Sequence, residues 1–188
     1  MKFDALVINR RSVRKYKDKP VDVDEIRDLI KTATFAPSAG NEQPWRFIIV
    51  NNRAMLKKIS DESKSNILTR IKANPDDYAL GYQKLLENDS FNVFYNAPCL
   101  VLILGESKRK NIQIDCSLAA SYLMMAAASR GYGTCWVNLG SDIQDIELKK
   151  ILGIPDNTTI VAPIILGIPE TVPSPPKRSD PVIYKIIA

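Results

Sequence analysis

Apolar residues recur along this chain with two periods, one helical and one strand-like, and the switches between them lay out its elements. Phe3 to Asn9 reads as a short helix, with Asp4 near its start and Leu6 and Val7 pointing inward. Asp22-Val23-Asp24-Glu25 opens a second helix: Asp22 suits the N-cap, and Glu25 stands at the third helical position of a capping-box variant. Ile26, Leu29, Ile30 and Ala33 follow at helical spacing, and Pro37 stops the run. Phe47-Ile48-Ile49-Val50 is apolar throughout, the pattern of a strand covered on both faces. Residues 54–90 form a helical excursion. Leu56 and Ile59 make one stripe and Ile67, Leu68 and Ile71 another, Asn74-Pro75-Asp76 breaks the pattern, and Leu85 and Leu86 resume it. Carrying Tyr78 and Tyr82, this excursion reads either as a lid or as a plain amphipathic pair.

Cys99 to Leu104 is a short apolar run typical of a central strand. Asn111 to Arg130 is a long helix with Gly131 just past its end. Its apolar residues, Leu118 to Ala127 among them, cover most of its circumference, so it is expected to be buried on several sides, centrally or at a subunit interface. Cys135 to Gly140 reads as a third strand running into a polar turn, and Asp142 as the cap of a helix carrying Ile143, Ile146, Ile151 and Leu152. Thr159 to Leu166 is a fourth strand, which Pro163 assigns to an edge or a bulge. Beyond Gly167 the prolines at 169, 173, 175 and 176 turn residues 168–188 into an extended arm with Lys177-Arg178 and an apolar tail. No internal repeat divides residues 1–188, which read as one domain.

Composition narrows the chemistry. The chain has 188 residues, 45% of them hydrophobic, and a net charge of +5, which permits an anionic ligand without requiring nucleic acid. There is no histidine, which removes His-based triads, His proton shuttles and His-ligated metals. Cys99, Cys116 and Cys135 are widely spaced with no CxxC, so no metal site is expected and the thiols read as free, buried and in a reducing compartment. The N-terminus lacks a secretory apolar region and the run from Leu118 to Ala128 is too short to span a bilayer, so a cytoplasmic location is expected.

Two stretches carry candidate chemistry. In Arg10-Arg11-Ser12-Val13-Arg14-Lys15-Tyr16-Lys17 the arginine forks flank Ser12 and suit a phosphate or an electron-rich ring edge, although a lone charge run is more often a solvated face. In Ala36-Pro37-Ser38-Ala39-Gly40-Asn41-Glu42-Gln43-Pro44-Trp45 proline and glycine impose a non-repeating backbone, and two carboxamides offer donors and acceptors to a flat heterocycle.

Together with Gly131-Tyr132-Gly133-Thr134-Cys135-Trp136 after the long helix, these stretches resemble, in order and spacing, the nitroreductase family of FMN-dependent flavoproteins, over nearly the whole chain. The resemblance implies an α+β fold, a mixed and mostly antiparallel sheet of four to five strands wrapped by helices, and an intertwined homodimer with FMN at the interface. It implies a cofactor-binding set of Arg10, Arg11, Ser12, Arg14, Pro37, Ser38, Ala39, Asn41, Gln43, Asn138, Leu139, Gly140, Lys177 and Arg178. In that set Arg10 and Ser12 face the phosphate and ribityl side, and Arg14 faces the N1/O2 edge of the flavin. Pro37, Ser38 and Ala39 pack on the ring from the partner chain, while Asn41 and Gln43 hold the loop or the ribityl and pyrimidine groups. Asn138-Leu139-Gly140 offers backbone N–H groups near N5 and O4, and Lys177 or Arg178 returns to the phosphate. Two departures stand out: Ala39 replaces a serine found in many members, and Asn138-Leu139 replaces a glycine pair found in many short members.

The implied chemistry is hydride transfer from NAD(P)H to an electron-poor acceptor such as a nitroaromatic or a quinone, with no catalytic side chain and no metal. Two alternatives stand beside it. One is a specialised flavin enzyme of the same fold, for reductive dehalogenation or flavin-destroying synthesis. The other is a non-redox anion- or RNA-binding module, disfavoured by the small net charge and the lack of an aromatic stacking motif.

Overall fold

The computed structural model describes residues 2–188. Four strands form one sheet in the order β1-β2-β4-β3, where β1 is Arg46–Val50, β2 Cys99–Glu106, β3 Gly133–Trp136 and β4 Thr158–Gly167. All three ladders are antiparallel. The parallel component of the expected mixed sheet is reduced, among the described residues, to an isolated bridge between Ser12 and Thr134.

Strand β2 organises the interior because its side chains alternate between two cores. Cys99, Val101 and Ile103 face one core with helices α2 (Val23–Ala33) and α5 (Ile112–Ser129). Leu100, Leu102 and Leu104 face the other, with α3 (Arg53–Ala73) and with Phe94. Each fully buried leucine or isoleucine contributes about 1.5–3 kcal/mol. The both-faces burial expected of β1 belongs to β2 instead. Phe47, Ile48 and Ile49 are only partly buried because β1 is the outermost strand, whereas Cys99 to Gly105 are all buried. Helix α1 (Phe3–Asn9) buries no residue, and Val7, expected to point inward, is 45% exposed. Among the described residues that face stays open.

The helix ends follow local chemistry. Asp22 caps α2 by accepting from the N–H groups of Asp24 (2.8 Å) and Glu25 (3.4 Å), but Glu25 pairs with Arg130 (3.7 Å) and does not complete a capping box. Helix α5 closes in a Schellman arrangement: Gly131 N–H donates to Ala128 O and Tyr132 N–H to Ala127 O, with Gly131 at φ 82°. The helix begun at Asp142 by expectation is α6, Ile146–Leu152, capped by Asp145, whose carboxylate accepts from Leu148 N–H at 2.6 Å. The Asp142 carboxylate is used elsewhere, on Arg70.

Pro163 stands inside β4, between β2 and β3, and not on an edge strand. It lies next to a bulge, where the register shifts between Ile103 and Leu104, and one position past the last β3 pair, Trp136–Ile164. Its carbonyl still accepts from Val137 N–H (2.9 Å). Since it has no N–H to return, the Val137 carbonyl is free to accept from Gly140 N–H (2.9 Å). Strand β3 is therefore shorter than expected, ending at Trp136, and the chain passes into a 3-10 turn, Asn138–Ser141.

The excursion is α3, a 3-10 turn Tyr78–Tyr82, and the single turn α4, Gln83–Leu86. It is tethered. Asn66 Nδ2 donates to Asp142 O (2.9 Å), and Glu62 Oε1 accepts from the N–H groups of Gln144 (3.2 Å) and Asp145 (2.9 Å). Lys64 Nζ, on a largely buried side chain, donates to the carbonyls of Asn88 (2.7 Å) and Phe91 (3.0 Å). Burial acts against the Glu62 charge, but the bonds from Asn66, Asp145 and Gln144 outweigh it and hold the carboxyl below its ordinary range. A depressed folded-state pKa gives stability that is present above the unfolded value and is lost as pH falls through the folded one. Denaturant midpoints are therefore expected to drop between pH 7 and acid pH more in the wild type than in Glu62→Gln. Equal drops would show that Glu62 carries none of the acid sensitivity.

No helix of the described residues is long and apolar enough to cross a membrane.

Candidate functional site

Residues 10–17 run extended beside β3. Val13 N–H donates to Thr134 O (2.9 Å) and Lys17 N–H to Ile168 O (2.9 Å). The approach requires Gly133, where a Cβ would lie 2.8 Å from Val13 Cβ. Tyr16 Oη donates to Val13 O (2.7 Å), and burial pushes this phenol far above its ordinary pKa, so it stays a donor at all working pH. The segment is thereby pinned at both ends.

This path gathers Arg10, Ser12 and Arg14 around the Cys135 thiol. Burial raises that thiol's pKa, while Arg14, the Ser12 hydroxyl and Arg10 act in the opposite direction. Arg14 borders a cavity of about 180 Å³ that Tyr78, Tyr82, Tyr95, Cys135, Asn138 and Leu139 also line. Arg10 and Arg11 border a second one, of about 160 Å³, with Asn9, Tyr132 and Thr134. No ion pair among the described residues involves Arg10, Arg11, Arg14, Lys15 or Lys17. Arg11 Nη1 is turned onto Arg10 O (2.5 Å), and its Nε is buried without an acceptor. Cations free of acids, with one orphaned buried donor, are the donor set of an anion site. A larger hollow of about 390 Å³ beside α3 is different: it is lined by Lys57, Asp61, Arg53 and Asp89, and Lys57 and Asp61 already pair with each other.

The loop after α2 is rigid by construction. Gly40, Asn41 and Gln43 all take positive φ, at 57°, 55° and 47°. Ser38 Oγ accepts from Gln43 N–H (3.0 Å), and Gln43 Nε2 donates to Asn41 Oδ1 (3.1 Å). Two anchors that the sequence reading passed over hold it. Ala39 N–H donates to Asp115 Oδ1 (3.0 Å), a buried carboxylate in the apolar helix α5, and Glu42 pairs with Arg109 (2.5 Å). The available signal was an acid placed inside an apolar helical run. Residues 37–43 line neither of the two cavities, so within one chain the loop and the basic segment remain apart.

In the 138–140 turn the expected supply of backbone donors is smaller by one. Gly140 N–H is committed to Val137 O, which leaves Asn138 and Leu139. Lys177 and Arg178 lie on the exposed arm, whose last backbone hydrogen bond among the described residues runs from Glu170 N–H to Lys15 O. Tyr95 was also missed by the sequence reading. At φ 53°, it sits under the Arg14 guanidinium (5.6 Å) and edge-on to Phe91.

An antiparallel sheet wrapped by helices, with an arginine segment outside the described ion pairs laid along its β3 edge and a carboxamide loop of positive φ, defines an α+β protein. The chain belongs to the nitroreductase family, whose model matches residues 7–168. A relative from Archaeoglobus fulgidus, provisionally named an NADH dehydrogenase/NAD(P)H nitroreductase, is 30% identical over 171 residues, covering 88% of this chain and 84% of that one. An iodotyrosine deiodinase from Thermotoga neapolitana is 25% identical over 187 residues, covering 96% and 95%. The crystal structure of a nitroreductase with bound FMN from Bacteroides fragilis superposes with a TM-score of 0.82, covering 100% of this chain and 99% of that one at 24% identity.

Proposed function

We propose that this protein is a homodimeric, FMN-dependent oxidoreductase that passes hydride from NAD(P)H to an electron-poor acceptor. The observation that carries the reading is the acid-free basic segment with its buried, unsatisfied Arg11 Nε, in a chain of this family. Arg10 and Arg11 on one cavity and Arg14 on another supply cations for a ligand with an anionic end and a polar ring. When bound, FMN supplies hydride acceptance and donation, which no side chain of this histidine-free protein needs to perform.

In this reading Arg10 and Arg11 offset the phosphate, Ser12 donates beside it, and Lys177 or Arg178 joins them from the arm. Arg14 places a fixed positive charge at the ring edge, where reduction increases negative charge. Asn138 and Leu139 present N–H groups to the ring. Pro37, Ser38 and Ala39 close it from the partner chain, with Asn41 and Gln43 holding that loop. The uncovered face of α1, the exposed Ile114 and Tyr122 of α5 and the apolar tail of the arm supply the dimer surface.

The purified protein is expected to be yellow, to release FMN on denaturation, and to oxidise NADH or NADPH with benzoquinone giving parallel double-reciprocal lines. A colourless protein that does not take up FMN overturns the reading, and a stable FMN-loaded monomer in sedimentation overturns the dimer. A second reading, reductive dehalogenation, is favoured by the near full-length likeness to the deiodinase, and turnover of iodotyrosine tests it.

The thiols have no part in this chemistry. All three cysteines are free and buried, and burial pushes Cys99 up to about 12 and Cys116 to about 11. Replacing all three by alanine is expected to cost roughly 0.5–3 kcal/mol per site in stability while flavin reduction persists. A folded, FMN-loaded triple variant without turnover contradicts this.

A further inference from the structure

We propose that Tyr95 is the positioning residue that fixes the Arg14 guanidinium, and that the buried Lys64 is the strut that fixes Tyr95 in turn. A lysine of α3 then sets the reduction potential of the bound flavin through a tyrosine and an arginine. The proposal rests on the flavin reading above, with Arg14 at the ring edge, and adds two residues to that site.

Arg14 is exposed and lies outside every described ion pair. A free arginine head samples many rotamers, and a charge spread over those positions does little at one ring edge. The contact that holds this head is the Tyr95 ring, whose centre lies 5.6 Å from Cζ. The charge is therefore where Tyr95 puts it.

Tyr95 is held in a conformation that its own side chain disfavours. Tyr95 and Asn96 follow one another at φ 53° and 54°, left-handed values that crowd any residue with a Cβ. Such a pair persists only where the surroundings impose it. Here the imposing groups come from one face of α3, where Ser60 and Lys64 stand one turn apart and are both buried. Ser60 Oγ accepts from Val93 N–H (3.0 Å). Lys64 Nζ donates to Asn88 O (2.7 Å) and to Phe91 O (3.0 Å). Inside the loop, Asn92 Oδ1 accepts from Phe94 N–H (2.8 Å) and Asn92 O from Tyr95 N–H (2.8 Å). Phe94 is fully buried, and the Phe91 ring meets Tyr95 edge-on with 5.6 Å between centres. The residue whose carbonyl Lys64 holds is thus the one whose ring braces Tyr95.

A lysine is a costly choice for this position. Lys64 is 8% exposed and has no acid partner among the described ion pairs. Burying an ammonium against carbonyls alone carries a desolvation cost that a packed apolar side chain avoids. What an apolar side chain cannot do is tie two carbonyls of one loop to a single point, and this loop is the one that carries Tyr95 to Arg14.

The test measures the two-electron reduction potential of the FMN-loaded protein against a reference dye. Wild type, Tyr95→Phe, Tyr95→Leu and Lys64→Met are compared, each alone and combined with Arg14→Ala, with thermal unfolding followed alongside. Tyr95→Leu and Lys64→Met are expected to lower the potential, weakening reduced relative to oxidised FMN by about two- to fivefold, the weight of one cation–π contact. Tyr95→Phe keeps the ring and is expected to stay near the wild-type potential. In the Arg14→Ala background none of these substitutions is expected to shift the potential, because the charge that they place is gone. A merely structural role lowers Tm without moving the potential, or moves it equally in both backgrounds, and either result overturns the proposal. An unshifted potential in Lys64→Met overturns the strut, and Lys64→Gln, shorter but still a donor, replaces that variant if it does not fold. A wild-type protein that takes up no FMN overturns the flavin reading and this proposal together, whereas a yellow protein whose potential is unshifted in Tyr95→Leu overturns this proposal alone.

Discussion

Gly140→Ala is expected to destabilise the protein more than any other single methyl addition near the site. A Cβ at this position would lie 2.2 Å from Phe94 Cε1 and 2.7 Å from its Cζ. Phe94 is fully buried, so its ring cannot swing aside, and Leu139 and Ile143 in the same core limit movement from the turn side. Overpacking of this kind costs about 1–3 kcal/mol and occasionally more. For a domain of this size that lowers Tm by roughly 2–4 °C per kcal/mol, or about 6–12 °C at the upper end. The turn is the alternative point of yield, and moving it breaks the Gly140 N–H bond to Val137 O and displaces Asn138. Thermal unfolding of Gly140→Ala, alone and combined with Phe94→Leu, checks the mechanism. Relief of the clash requires the double variant to lose much less than the sum of the single ones. Strict additivity would mean that the clash is not what destabilises Gly140→Ala.

The second large effect separates two arginines of one segment. Arg10 borders the cavity it shares with Arg11, and Arg14 borders the one beside Asn138. With Arg10 on the phosphate, Arg10→Ala loses a charge-assisted contact of about 1.5–3 kcal/mol, which is roughly ten- to a hundredfold in the FMN dissociation constant. With Arg14 at the ring edge, Arg14→Ala destabilises the reduced cofactor more than the oxidised one and lowers the two-electron reduction potential. Saturating FMN is expected to restore Arg10→Ala but not Arg14→Ala. Photoreduction against a reference dye, with both variants fully loaded, decides the point. Equal and unshifted potentials would remove Arg14 from the ring edge and leave the segment a phosphate clamp. Loss of the Arg14–Tyr95 contact is the accompanying risk, so Arg14→Lys, which keeps a cation over that ring, is the control.

Much of this protein was legible in its sequence because the deciding physics was local. Asp22 capped its helix, Gly131 ended the long one, and the apolar run Cys99–Leu104 became the central strand, since caps, C-terminal glycines and burial patterns act within a few residues. The motif order alone carried the family, because three separated stretches had to agree. Where two partners compete for one group, local reasoning failed. Asp142 looked like a helix cap, but Arg70 claims its carboxylate and leaves the cap to Asp145. Pro163 could be assigned only to an edge or a bulge; the fold puts it near a bulge and opposite the position where β3 ends, so its missing N–H starts the 138–141 turn at no cost to the ladder. Asp115 disappeared inside an apolar helix until the fold brought Ala39 N–H, 76 positions away, to its carboxylate. Whether the excursion is a lid or a plain amphipathic pair could not be read, because Tyr78 is placed by Asn138 and by Arg70, itself bound to Asp142, contacts that span 60 and 72 positions. Periodicity determined the elements, and the resemblance of three motifs to a known family implied the cofactor class. Only the tertiary structure decided which charges stay unpaired, because pairing depends on distances that chain order does not encode.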